Sequence, residues 1–142
     1  MTEKLVGKVA KSIRDRVKET YRVYTECVEQ NLEKPCFFVE CESAEKVPLL
    51  GNRFFLRVWV KVSFDATGER QNFKEQEVLG DVFLALNTVK TEEGCLMGRK
   101  IHAKRESGIL TVRGCYDVFF EESEDKEEAA LMEKIEGGQK VD

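Results

Sequence analysis

The sequence is poor in the residues and motifs that usually carry chemistry. Among its 142 residues there are one histidine, one tryptophan and two prolines. The Walker loop, the G-x-S-x-G elbow and the H-E-x-x-H motif are missing, which excludes the common nucleotide-binding, hydrolase and metalloprotease signatures. A run of about 18 apolar residues, the minimum for a membrane-spanning helix, is missing too. We therefore predict a protein that is not an enzyme, has no cofactor and does not contact a membrane.

The five cysteines give no sign of a metal site. Their number is odd, no two are spaced as C-x-x-C, and the one histidine is His102. Because structural zinc sites need tighter clusters of cysteine and histidine, we predict reduced thiols that pack as small apolar groups. The five are Cys27, Cys36, Cys41, Cys95 and Cys115.

Charge is distributed unevenly along the chain. The formal net charge is −4 at pH 7, but residues 121–142 hold nine acids against three lysines, a balance of −6. The rest of the chain carries the remaining 18 acids and 20 bases and is close to neutral. We predict a single domain over 1–121 and an acidic, flexible carboxyl-terminal tail over 122–142.

Hydrophobic periodicity predicts two helices that each place one face on a sheet. The first is predicted over 3–19 and the second over 73–89. Asn72 and Glu75 have the spacing of a capping box at the start of the second helix, and Gly80 suggests a close crossing against the sheet. The apolar stripe of this helix contains Phe73, Val78, Leu79, Val82, Phe83, Leu86 and Val89.

Strand patterns account for most of the remaining residues. The clearest strand runs from Arg53 to Phe64, where every even position is apolar, so one face should be buried. Residues 43–51 are predicted to form a loop, and Gly114 suggests a bulge or a close backbone approach. The element order predicts an α+β fold, an antiparallel or mixed sheet of about five short strands with both helices packed on one face. The other predicted strands are 21–25, 36–42, 96–105 and 109–121, the last two joined as a hairpin at 106–108.

Two surface features are candidate contact sites. Phe55 and Trp59 share the second face of the 53–64 strand, where a helix, a loop or another subunit could cover them. Basic residues gather on the predicted 99–113 hairpin, which could be a solvated face, a protein interface or a phosphate-binding patch. No aromatic side chain lies between 99 and 113 to stack on bases. A small nucleic-acid-binding module that uses this hairpin is the alternative function. The basic residues are Arg99, Lys100, His102, Lys104, Arg105 and Arg113.

The segment from Tyr24 to Val39 is unusual in composition. It begins YTECVEQ and continues with PCFF from Pro35, and LGNR follows at Leu50–Arg53. In these three pieces the chain resembles the tail terminator, or tail-completion, proteins of tailed phages and of defective prophages in Gram-positive bacteria. The departure is Asn31, where that family usually has glycine; asparagine tolerates a left-handed backbone nearly as well.

The resemblance implies a structural virion protein and a small α/β sheet packed on helices. Such proteins form a ring, commonly hexameric, that docks on the head-proximal end of the tail tube, stops tube polymerisation and provides the platform for the head. The implied partners are further copies of the chain, the tail tube protein, and sheath and head-completion or neck proteins, with assembly in the host cytoplasm. Specific nucleic-acid binding is not expected. The predicted subunit or tail contacts are Glu26, Glu29, Gln30, Asn31, Phe55, Trp59, Arg99, Lys100, Lys104, Arg105 and Arg113.

Overall fold

The structure is a computed structural model that describes residues 2–25, 33–92 and 94–121. This part of the chain contains two helices and seven strands. In chain order they are α1 (Thr2–Arg14), β1 (Arg22–Tyr24), β2 (Cys36–Pro48), β3 (Arg53–Asp65), α2 (Gln71–Asn87), β4 (Thr88–Thr91), β5 (Gly94–Met97), β6 (Arg99–Glu106) and β7 (Ile109–Glu121).

Five of the strands form one mixed sheet in the order β1-β2-β3-β7-β6. β1 runs parallel to β2, and the other neighbours are antiparallel. The three central strands are the longest, whereas β1 and β6 form the edges. β4 and β5 pair only with each other, as a small separate ribbon. This arrangement confirms the predicted α+β class with a mixed sheet.

Both helices pack on one face of the sheet, as predicted. Phe54, Val60 and Phe64 on β3 are at most 2% exposed and belong to the same core as the apolar stripes of α1 and α2. Burying each such side chain stabilises the fold by about 1.5–3 kcal/mol. The Ser12 hydroxyl donates a hydrogen bond to the Ala85 carbonyl oxygen at 2.7 Å, which ties the two helices together.

The start of α2 differs from the prediction. The residue before the helix, Arg70, has a left-handed backbone (φ 58°) and no side-chain cap. The predicted capping box is wrong because the Glu75 side chain accepts hydrogen bonds from Gln71 and Arg105. Asn72 also binds Arg105, through its side-chain oxygen.

Other helix predictions also fail at the surface. A Cβ built on Gly80 would meet nothing within 4 Å, so the predicted close crossing is wrong. Phe73 is 54% exposed instead of facing the sheet, and the Arg70 guanidinium covers its ring at 4.4 Å. α1 ends at Arg14 rather than at residue 19, because the chain turns there through a hydrogen bond from the Arg16 amide to the Ile13 carbonyl.

Strand predictions are correct in the centre of the sheet and wrong at two boundaries. The predicted 43–51 loop is mostly strand, since β2 continues to Pro48. The predicted 96–105 strand is divided at Gly98, because β5 pairs with β4 while β6 pairs with β7. The hairpin is confirmed, with left-handed backbones at Ser107 and Gly108. The bulge suggested at Gly114 lies in the facing strand, where β6 shifts register between Arg99 and His102.

Candidate binding surface on the open face of the sheet

The face of the sheet turned away from the helices is formed by the odd-numbered side chains of β3 and their cross-strand neighbours, and we call it the outer face. Phe55, Arg57, Trp59 and Lys61 alternate along β3 and are all half-buried. The antiparallel register brings side chains of β2 and β7 beside them, and β6 follows beyond β7. The outer face is therefore a continuous surface that crosses four strands.

Two aromatic contacts on the outer face involve the predicted residues Phe55 and Trp59. The rings of Phe55 and Phe119 have centroids 5.1 Å apart, and the Arg57 guanidinium lies 5.2 Å from the Phe55 centroid. Trp59 meets the His102 ring edge-on at 6.0 Å. Both predicted aromatic residues thus lie on this face, and their ring contacts come from the adjacent strand β7 and from β6 beyond it.

Arg113 is held between two carboxylates on the outer face. It donates two hydrogen bonds of 2.8 Å to Glu42 on β2, and it also pairs with Glu106 on β6. These hydrogen bonds lower the pKa of both Glu42 and Glu106 and raise the pKa of Arg113. The cluster links three strands through one guanidinium group.

A second cluster surrounds Asp117 on β7. Its carboxylate accepts from Arg99 at 2.8 Å and from Arg57 at 3.2 Å. The hydrogen bond to Asp117 is the main cause of the raised pKa of Arg57. Arg99 and Arg113, the two hairpin arginines on the outer face, are therefore both neutralised by carboxylates.

Replacing Arg113 with glutamine is expected to weaken the decrease in the free energy of unfolding that the protein shows as the pH falls into the acid range. Because the Glu42 and Glu106 pKa values lie below the ordinary 4.5 in the folded chain, their ionised forms stabilise the fold above that pH, and this stabilisation is lost as pH falls through the lowered values. Urea unfolding between about pH 3 and pH 7 measures the effect. The free energy of unfolding of the wild type should exceed that of Arg113→Gln most near neutral pH. The two values should become equal in acid.

Lys11→Gln is the matched control for this pH series. It breaks the pair with Asp15, whose side chains are 72% and 61% exposed, so the free energy of unfolding should change little at any of these pH values. A difference between wild type and Arg113→Gln that is as large in acid as at neutrality would contradict the assignment.

One arginine of the predicted basic cluster lies on the helix side of the sheet. Arg105 pairs with the carboxylate of Glu75 on α2, which is only 4% exposed, and donates to the Asn72 side-chain oxygen at 3.1 Å. Gln71 donates a further hydrogen bond to Glu75 at 3.1 Å. Arg105 therefore connects β6 to α2 and does not belong to the outer face.

The remaining predicted contact residues lie on the outer face, in the bulge of β6, or outside the described residues. Lys104 lies opposite Thr111 on the outer face and is exposed, while Lys100 sits in the bulge with a left-handed backbone. Five of the predicted contact residues therefore lie on the outer face: Phe55, Trp59, Arg99, Lys104 and Arg113. The four predicted contacts Glu26, Glu29, Gln30 and Asn31 lie outside the described residues, as does Cys27.

A second surface was missed by the sequence reasoning. Phe73, Leu84 and Met97 are 54%, 53% and 58% exposed on the helix side, and we call them the helix-side patch. Phe73 and Leu84 are three helical turns apart and share one face of α2. Thr88, one turn beyond Leu84, contacts the Met97 sulfur at 3.7 Å. The sequence signal for this surface was the spacing of the apolar residues 73 and 84, which places both on the side of the helix opposite its buried face.

The described residues offer surfaces for contact and little for chemistry. Within residues 2–25, 33–92 and 94–121 no three His, Cys, Asp or Glu side chains lie close enough together to hold a metal ion. Neither helix in this part of the chain is long and apolar enough to cross a membrane.

The fold is that of a small α+β protein with a mixed five-stranded sheet and two helices. A family model described as phage tail terminator protein matches residues 5–130. The chain therefore belongs to the phage tail terminator family, structural proteins of phage tail assembly. A comparison with curated proteins gives no match. The family match confirms the resemblance and continues past Glu121 into the acidic segment. An origin in prophages of Gram-positive bacteria stays a prediction.

Proposed function

We propose that the protein forms a ring, hexameric as in related tail terminators, that closes the head-proximal end of a tail tube. The ring stops tube polymerisation and provides the platform to which the head is joined. Its partners are further copies of the chain, the tail tube protein, and sheath and head-completion or neck proteins, and it assembles in the host cytoplasm. Membership of the tail terminator family carries this proposal.

Two surfaces on opposite sides of the sheet support a head-to-tail ring. A ring of identical subunits needs two different patches on each subunit, and it closes when the rotation between neighbours completes a circle. We assign the outer face of one subunit to contact the helix-side patch of the next. Phe55 and Trp59 anchor this contact, because half-buried aromatic residues beside arginine are typical of interfaces. The segment with Glu26, Glu29, Gln30 and Asn31 adds a contact to the neighbour or the tube.

The charge pattern argues against the nucleic-acid alternative. Arg99 and Arg113 are each paired with carboxylates on the outer face, and Arg105 is paired on the opposite side. Phosphate groups would have to displace these carboxylates, which removes much of the electrostatic gain of binding. We therefore do not assign a nucleic-acid-binding role to the 99–113 hairpin.

Mass by light scattering on a sizing column, with and without purified tail tubes, tests the ring. We expect either a free ring of defined mass or a ring captured at one tube end. A monomer that leaves tubes unchanged would overturn the proposal. Trp59 is the only tryptophan of the chain, so its emission should shift to shorter wavelength when a neighbouring subunit covers the outer face of a free ring.

Replacing Leu84 with lysine is expected to abolish the ring without unfolding the subunit. Leu84 is 53% exposed, so the free energy of unfolding should stay within about 0.5 kcal/mol of the wild type. A buried lysine at the subunit contact would cost far more. Glu69→Lys, which places a lysine at an exposed loop residue, should keep the ring. A ring of normal mass with Leu84→Lys would remove the helix-side patch from the interface.

A further inference from the structure

A cleft of about 480 Å³ lies between β4 and α1 with the turn that follows α1. Four basic side chains and two acidic ones line it, together with hydroxyl groups. One basic and one acidic side chain, Lys11 and Asp15, neutralise each other at 3.0 Å. The cleft is therefore basic in net charge, and it meets the helix-side patch at Thr88, which contacts the Met97 sulfur.

Three further basic side chains line the cleft. Lys8, Arg16 and Lys90 make no ion pair with the residues that the structure describes, and the one further acid in the lining is Glu92. The Thr91 hydroxyl is buried, lines the same cleft, and has no hydrogen-bond partner in the described part of the chain. Buried hydroxyls normally find a partner. Among the described residues, the cleft is thus lined by three basic side chains without an ion pair, by the acid Glu92 and by Thr91, whose buried hydroxyl has no partner.

We propose that this cleft binds an acidic peptide, and that the peptide is the acidic carboxyl-terminal segment 122–142 of the same chain. Its first seven residues, 122–128, contain five carboxylates against one lysine. Ammonium and guanidinium groups bind such carboxylates through charge-assisted hydrogen bonds. The negative charge of the segment is complementary to the net positive charge of the cleft.

The segment is long enough to reach the cleft within one chain. The Tyr116 hydroxyl on β7 donates to the Leu86 carbonyl, two residues before β4 begins. From Tyr116 to Glu121 the strand extends about 17 Å. The first seven residues after Glu121 can span up to about 24 Å, and all 21 residues up to about 70 Å. Because a tethered segment has a high effective concentration, the same chain is favoured over a neighbour.

Zero-length carbodiimide cross-linking of the full chain, followed by peptide mass spectrometry, tests the proposal. Activated carboxylates of 122–128 should form amide bonds with Lys8 or Lys90 at least about fivefold more often than with Lys100 or Lys104. All four lysines make no ion pair with the described residues, and the last two lie on the far strand β6. Salt at about 0.5 M should remove the preference, because it screens exposed charges.

Mixing ¹⁴N-labelled and ¹⁵N-labelled protein distinguishes the source of the segment. Links within one isotope support the same-chain occupant, and links between isotopes would overturn it in favour of a neighbour's segment. Even labelling of all four lysines, or links from Lys8 and Lys90 only to Asp15 and Glu92, would overturn the cleft as a binding site. These outcomes do not depend on ring formation, so the ring proposal stands or falls separately.

Discussion

Replacing Gly98 with alanine is expected to lower the free energy of unfolding by about 2–3 kcal/mol. The added Cβ would clash with the Leu86 carbonyl oxygen and lie 3.1 Å from the Ile101 side chain. Neither backbone can easily move away. The Gly98 amide donates to the Asn87 carbonyl at 2.9 Å, and the Leu86 carbonyl accepts the buried Tyr116 hydroxyl at 2.6 Å. Relief of the clash would therefore break a buried hydrogen bond.

Gly80→Ala is the matched control, and its expected effect has the opposite sign. Gly80 lies inside α2, and a Cβ there meets nothing within 4 Å. Alanine should stabilise the helix by about 0.5–1 kcal/mol, because glycine loses more backbone freedom on folding. Urea unfolding followed by circular dichroism measures both variants. A Gly98→Ala protein as stable as the wild type would contradict the close approach at this junction.

Arg105→Ala is expected to lower the free energy of unfolding by about 2 kcal/mol. The change leaves the Glu75 carboxylate buried, with the Gln71 amide as a remaining hydrogen-bond donor. Removal of one partner of a fully buried pair costs about 3–5 kcal/mol. We expect less here because the Arg105 side chain is 50% exposed. Chemical unfolding of the purified variant measures the loss.

Two further variants make the Arg105 prediction specific. Lys104→Ala changes the neighbouring exposed residue and should stay within about 0.5 kcal/mol of the wild type. Combining Arg105→Ala with Glu75→Leu should recover much of the loss, because the buried charge is removed with its partner. A double variant less stable than Arg105→Ala alone would show that the pair does not explain the effect.

The position of Arg105 also changes how the ring should be mapped. A charge reversal there would damage the connection between β6 and α2, so loss of the ring would not identify a subunit contact. Lys104 and Arg99 are informative on the outer face, since Lys104 is exposed and Arg99 is 43% exposed. Exposed residues of the helix-side patch are better probes still, because their substitution leaves the core unchanged.

Local pattern was sufficient for the centre of the fold. The alternation along β3 identifies its buried face because neighbouring side chains in a strand point to opposite sides. Ser107 and Gly108 mark the hairpin because both adopt left-handed backbones in a two-residue turn. The tail terminator family could be named from three short motifs, and the family match over residues 5–130 confirms it.

The sequence by itself therefore determined the α+β class, the one-sided packing of the helices, the placement of Phe55 and Trp59 on the open face, and the family. Only the tertiary structure decided where the predicted 96–105 strand divides, because Gly98 is held by the end of α2. It also decided which carboxylate each arginine meets. Ion pairs such as Arg113 with Glu42 and Arg105 with Glu75 join residues 71 and 30 positions apart. Local periodicity carries no information about such distant partners, since they are set by strand order and by the packing of α2 on the sheet.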